Sequence, residues 1–161
     1  HVTVAEYQAE DPKFFPSAFI FTFVRNPISR FISAYDHIQT DDLWNYLPEV
    51  KRQLDKQGDT VSELAEKLTP TCEILKLPWF APQHSFLEIN GRLAVNRVFK
   101  TESFDSDLEV LRAETGIRLR VKAPVNRRGD PLAVPSDRLN DAAIANLRKL
   151  YARDFILFGY F

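Results

Sequence analysis

Arg25 and Ser33 are the residues of this chain whose types and spacing best suit the grip of a single anion. Arginine presents a planar fork of donors that matches phosphate, and serine adds a neutral donor. Eight residues separate them, about two turns of helix at 3.6 residues per turn, so both side chains can converge on one group. The segment around them reads Phe19-Ile-Phe-Thr-Phe-Val-Arg25-Asn-Pro-Ile-Ser29-Arg-Phe-Ile-Ser33-Ala-Tyr35. Residues 18–24 are a largely apolar run rich in β-branched and aromatic side chains, which predicts a strand buried on both faces of a parallel sheet. Asn26 is a good N-cap and Pro27 suits a first helical position, so a helix is predicted over 27–38. The arginine then stands at the carboxyl end of a strand beside a helix N-terminus. Ligands bind at that place in open α/β sheets, and anions are favoured there. Ser29 and Ser33 share one face of the helix. Phe31, Tyr35 and Ile38 share another, predicted to pack on the sheet.

The rest of the chain supplies the elements that must hold this pair. Residues 1–12 read as a short helix or extended lead-in. Residues 41–57 form a polar, helical insertion around Trp44, Leu47, Val50 and Leu54, which Gly58 can end. Asp59 or Thr60, with Glu63, caps a helix to about Leu68. Pro70, Pro78 and Pro82 break up a loop that holds Trp79 and Phe80. Asn90-Gly91 between two apolar segments is a hairpin signal. A helix is predicted from Phe104 to Glu114, ending at Gly116, then a short strand over 117–122 and a proline-rich loop over 124–135. Ser136 or Asp137 caps a final helix to about Arg153. Length and composition support one domain, residues 1–161, with enough apolar residues for a core.

Arg-Asn-Pro-x-x-Arg-Phe-x-Ser-Ala-Tyr after an apolar strand resembles the 3′-phosphate-binding motif of sulfotransferases that use 3′-phosphoadenosine 5′-phosphosulfate (PAPS). The carbohydrate branch, with heparan sulfate and uronyl 2-O-sulfotransferases and many bacterial relatives, is the most similar. Other segments extend the resemblance in the family's order over nearly the whole chain. Ala81-Pro-Gln-His-Ser-Phe86 is similar to a Pro-Gln-x-x-Phe segment. Val98-Phe-Lys-Thr-Glu102 is similar to a strand ending in glutamate before a helix. Val125-Asn-Arg-Arg-Gly129 falls where the family has a basic loop, and Tyr151-Ala-Arg-Asp-Phe155-Ile-Leu-Phe-Gly159-Tyr160 resembles the C-terminal signature. The resemblance implies a P-loop-NTPase-like α/β fold, a central parallel sheet flanked by helices. It also implies PAPS as donor and its bisphosphate PAP as product, with no metal. Arg25 and Ser33 would hold the 3′-phosphate. Arg127, Arg128 and Gly129 would wrap an anion with side-chain and backbone donors, or else form a solvated basic turn.

The family's 5′-phosphosulfate loop has no counterpart in these residues. The five glycines stand at 58, 91, 116, 129 and 159, none before the Arg25 strand, and the sequence has no methionine. The expectation is a chain that lacks the N-terminal half of the cofactor site, so that unaided catalysis is in doubt. A net charge of −1 gives no global basic field for nucleic acid. Cys72 is the single cysteine, which rules out an internal disulfide. No Asn-x-Ser/Thr sequon and no apolar run of membrane-spanning length occur. These features predict a cytoplasmic protein, and the resemblance implies a bacterial type, with an upstream leader or anchor left open.

The implied reaction moves a sulfuryl group to a hydroxyl or amine of a carbohydrate or small hydroxylated acceptor. Such transfer needs positioning, charge stabilisation and one proton acceptor. Histidine suits that last role because its ordinary pKa is near neutrality. The resemblance implies a histidine in a short His-Val segment before the 3′-phosphate motif, and His1-Val2-Thr3 stands at the matching place. His1 is therefore one candidate base, and also reads as a chain-end residue. His84 is the rival, and also reads as a packing histidine; His37 reads as structural. Arg30 reads as a residue that pairs with a carboxylate or caps a loop; Glu102 reads as a base or a partner for an arginine, and the resemblance favours a structural or nucleotide-side role. Trp44, Tyr46, Trp79 and Phe80 form either an acceptor-side aromatic wall or part of the core. A nucleotide kinase-like phosphate-loop enzyme and a non-catalytic binding or assembly module are the alternative readings. The acceptor and the oligomeric state are not legible.

Overall fold

The computed structural model describes residues 2–40, 52, 54, 56, 58–117 and 138–161. The helical insertion around Trp44, Leu47 and Val50, most of the strand expected over 117–122, the loop over 124–135 and the caps at Ser136 and Asp137 lie outside these residues. The described elements run in the order α1 (Val4–Glu10), β1 (Phe21–Val24), α2 (Pro27–Thr40), α3 (Val61–Lys67), β2 (Glu88–Ile89), β3 (Arg92–Leu93), β4 (Arg97–Lys100), α4 (Phe104–Thr115), α5 (Asp141–Leu150) and α6 (Ala152–Phe158). The α/β class expected from the sequence holds.

β1 and β4 pair in parallel, with Phe21 opposite Arg97 and Val24 opposite Lys100. Pairing starts at Phe21 rather than at residue 18 because Asn96 takes both backbone groups of Ile20, at 2.7 Å each. Side chains alternate across the ribbon. Phe23 and Phe99 lie side by side on one face, ring centroids 5.4 Å apart, under Phe104, Leu108 and Leu111 of α4. Val24 and Val98 face the other way, toward Val4, Leu87 and Phe158. The strand is not buried throughout: Phe19 and Phe21 are exposed, and only its carboxyl end, at Val24, is closed off.

A larger core lies away from the sheet. Phe31, Tyr35 and Ile38 of α2 pack with Val61, Leu64 and Ala65 of α3 and with Ala143 and Leu147 of α5. The face of α2 expected on the sheet is thus buried against helices instead. Local chemistry explains the helix ends. Thr60 accepts from the Glu63 amide at 3.2 Å, while the Glu63 carboxylate accepts from the Asp59 amide at 2.8 Å. Gly58 is required before this cap: its φ is +151°, and a Cβ there would stand 2.4 Å from the Glu63 Cβ. The hairpin expected at Asn90-Gly91 joins β2 to β3, with φ of +52° and +74° as a two-residue mirror-image turn demands.

The last helix departs from expectation. Its cap is Asn140, whose Oδ1 accepts from the Ala143 amide at 2.9 Å. Helical structure is interrupted at Tyr151, and α6 follows as a separate segment. Asn140→Ala is expected to cost about 0.5–2 kcal/mol of stability, read by urea denaturation, with no effect on ligand binding.

Candidate functional site

The parallel register brings both chain exits to one place. Since Val24 is opposite Lys100, Arg25-Asn26 and Thr101-Glu102 leave the sheet together at its carboxyl end. The Glu102 carboxylate accepts from the Asn26 amide at 2.6 Å and from the Tyr160 hydroxyl at 2.9 Å. Glu102 is thereby occupied as a structural clasp. Burial, then the charge and hydrogen bond of Glu102, push the Tyr160 phenol well above its ordinary pKa, and the nearby Arg25 guanidinium opposes this. The Lys100 ammonium lies 4.4 Å from the Tyr160 ring centroid and donates to the Gly159 carbonyl at 3.1 Å, fastening the chain beyond α6 to β4.

Asn26 caps α2 as the sequence predicts. Its side-chain oxygen accepts from the Ile28 amide at 2.9 Å and the Ser29 amide at 3.3 Å. This has a consequence for anion binding. The first free amides of α2 are already taken, so the side chains of Arg25 and Ser33 are left as the donors. Neither the Arg25 guanidinium nor the Ser33 hydroxyl has a hydrogen-bond partner among the described residues, and no buried side-chain nitrogen or oxygen there lacks one. Both groups therefore reach solvent.

The Arg25 backbone is held from a distant loop. Gln83 accepts from the Arg25 amide at 2.9 Å and donates to the Arg25 carbonyl at 2.8 Å. Asp154, fully buried at 0% exposure, accepts from the amides of Gln83 at 2.7 Å and His84 at 2.8 Å. Its Oδ1 also lies 2.6 Å from Nδ1 of His84. That contact leaves Nε2 of His84 as the edge without a partner among the described residues. A carboxylate on Nδ1 favours the tautomer in which Nε2 can accept a proton. The same contact locks the turn that carries Gln83.

Arg30 caps a loop, as one of its two sequence readings holds. It donates to the carbonyls of Ala81 and Pro78, both at 2.8 Å. Burial lowers its pKa, opposed by Tyr151 and Asp154. Phe80 belongs to the core, its ring 5.3 Å from that of Phe31 and its carbonyl accepting from the Tyr151 hydroxyl at 2.6 Å. It is therefore unavailable to an acceptor wall, and Trp79 packs partly against the same core. Trp44, Tyr46, His1, Arg127, Arg128 and Gly129 lie outside the described residues. No group of three or more metal-ligating side chains occurs among the described residues, and no described helix is long and apolar enough to cross a membrane.

The sequence brought forward Arg25, Ser33 and His84 but gave no positioning role to Gln83 or Asp154. Both stand in segments already singled out, Ala81–Phe86 and Tyr151–Tyr160. Their pairing across 71 residues left no periodic signal to read. A family model described as the sulfotransferase family matches residues 3–161. No curated protein and no solved structure matches the chain.

Proposed function

The chain belongs to the sulfotransferase family, and from that premise we propose that it transfers a sulfuryl group from PAPS to a hydroxyl or amine of a carbohydrate or small acceptor. Arg25 and Ser33 bind the 3′-phosphate of the nucleotide. One observation carries this reading: the guanidinium of Arg25 has no hydrogen-bond partner among the described residues, while both its backbone groups are clamped. A fixed anchor with an uncommitted fork suits a phosphate, whose oxygens accept paired donors. The Ser33 hydroxyl, without a partner among the described residues, adds a donor without charge, and the donor set fits the group.

When bound, PAPS would supply the sulfuryl group and leave as PAP. The chain's own residues would orient the nucleotide and take the acceptor's proton. For the proton we propose His1, on the family's His-Val segment, with His84 as rival. The contact of Nδ1 with Asp154 leaves Nε2 of His84 able to accept a proton, which supports the rival. Arg127, Arg128 and Gly129 are proposed to close over the nucleotide. The single cysteine and the lack of sequons support a cytoplasmic setting.

The test is transfer of radiolabelled sulfate from PAPS to a panel of hydroxylated sugars. His1→Ala should remove at least about a hundredfold of the transfer rate, the scale of a lost general base, and leave nucleotide affinity unchanged. A rate that survives His1→Ala but falls with His84→Asn, at unchanged affinity, would reassign the base. No transfer by the wild type, together with equal binding of adenosine 3′,5′-bisphosphate and 5′-AMP, would remove the reading.

A further inference from the structure

We propose that Gln83 is a positioning residue for Arg25, acting as an extra rung beyond the end of the parallel sheet. The inference rests on the reading of Arg25 as the 3′-phosphate ligand and assigns how its selectivity is maintained.

Sheet pairing ends at Val24 opposite Lys100, so the next residue has no strand to hold its backbone. The primary amide of Gln83 supplies the missing partner. It returns one acceptor to the Arg25 amide at 2.9 Å and one donor to its carbonyl at 2.8 Å. A carboxamide, with a carbonyl and an NH2 group, does this at any pH; an ionised carboxylate offers acceptors alone, and a thioether offers neither a strong donor nor a strong acceptor. On the other side of Arg25, Glu102 takes the Asn26 amide. The Cα of Arg25 is therefore fixed from two directions, and only its side chain is left to move. Gln83 is itself 8% exposed, and its own amide is tied to the fully buried Asp154. The rung thus runs from α6 through the Gln83–Phe86 turn to the strand end. A ligand that meets a pre-fixed arginine pays less ordering entropy on binding.

The test compares adenosine 3′,5′-bisphosphate with 5′-AMP by calorimetry on the whole chain, for wild type, Arg25→Ala, Gln83→Met and Gln83→Glu. Gln83→Met is expected to weaken the bisphosphate about two- to tenfold, the range for setting one ordered side chain free, with 5′-AMP unchanged. Gln83→Glu keeps the bond from the Arg25 amide but turns an acceptor toward the Arg25 carbonyl. Its preference for the bisphosphate should drop once the introduced carboxyl ionises and recover below that pH, relative to wild type at each pH. This second variant decides the matter if Gln83→Met does not fold. A wild-type preference in Gln83→Met, or a preference in Gln83→Glu that follows the wild-type pH dependence, overturns the proposal. If Arg25→Ala itself leaves the preference intact, it is the assignment of Arg25 that fails.

Discussion

Arg25→Ala is expected to lose about tenfold to a hundredfold of the affinity for adenosine 3′,5′-bisphosphate, the value of charge-assisted hydrogen bonds worth about 1.5–3 kcal/mol. Affinity for 5′-AMP should stay within about twofold, since that ligand lacks the phosphate the arginine holds. The effect should be specific because Arg25 makes no side-chain bond that stabilises the fold among the described residues; its two structural bonds, to Gln83, are backbone bonds that alanine retains. The thermal midpoint should therefore move little. Arg25→Lys should recover only part of the affinity, because an ammonium keeps the charge and loses the planar fork. Calorimetric titration of the three proteins checks all of this. A loss shared equally by the bisphosphate and 5′-AMP would contradict the role.

Asp154→Ala should have the largest effect on stability, a loss of about 3 kcal/mol or more. The carboxylate is fully buried and takes the amides of Gln83 and His84 as well as Nδ1 of His84. Each donor stranded by its removal costs about 1–3 kcal/mol, less whatever water can recover. Asp154 also offsets the burial of the Arg30 guanidinium, and that offset would be lost too. Against a typical total of about 5–15 kcal/mol, such a loss brings the chain close to unfolding at ordinary temperature. Asp154→Asn keeps the shape and one acceptor, so it should cost less. Urea denaturation would measure both; a loss below about 1 kcal/mol for Asp154→Ala would show that the network is dispensable.

The features legible in the sequence were those written in adjacent residues. Asn26 caps α2, Thr60 with Glu63 caps α3, and Asn90-Gly91 turns the hairpin, because each depends on side chains within four positions of the groups they satisfy. The strand end before Arg25 and the helical position of Ser33 were legible for the same reason, both lying in one continuous strand-to-helix segment. The clamp on Arg25 was not, since Gln83 and Glu102 lie 58 and 76 residues from the groups they hold. The packing of Phe31, Tyr35 and Ile38 was misjudged because an apolar helix face records that it is buried but not against what. The interruption at Tyr151 was missed as well. Residues 141–158 carry apolar periodicity with no proline or glycine to mark a break.

The central claim is that this chain holds a 3′-phosphate at Arg25. It is tested most directly by calorimetric titration of the wild-type chain with adenosine 3′,5′-bisphosphate, 5′-AMP and ATP. The predicted result is binding of the bisphosphate at least about tenfold tighter than either control, the lower end of what a charge-assisted pair supplies. Equal affinity for all three, or preference for ATP, would contradict it.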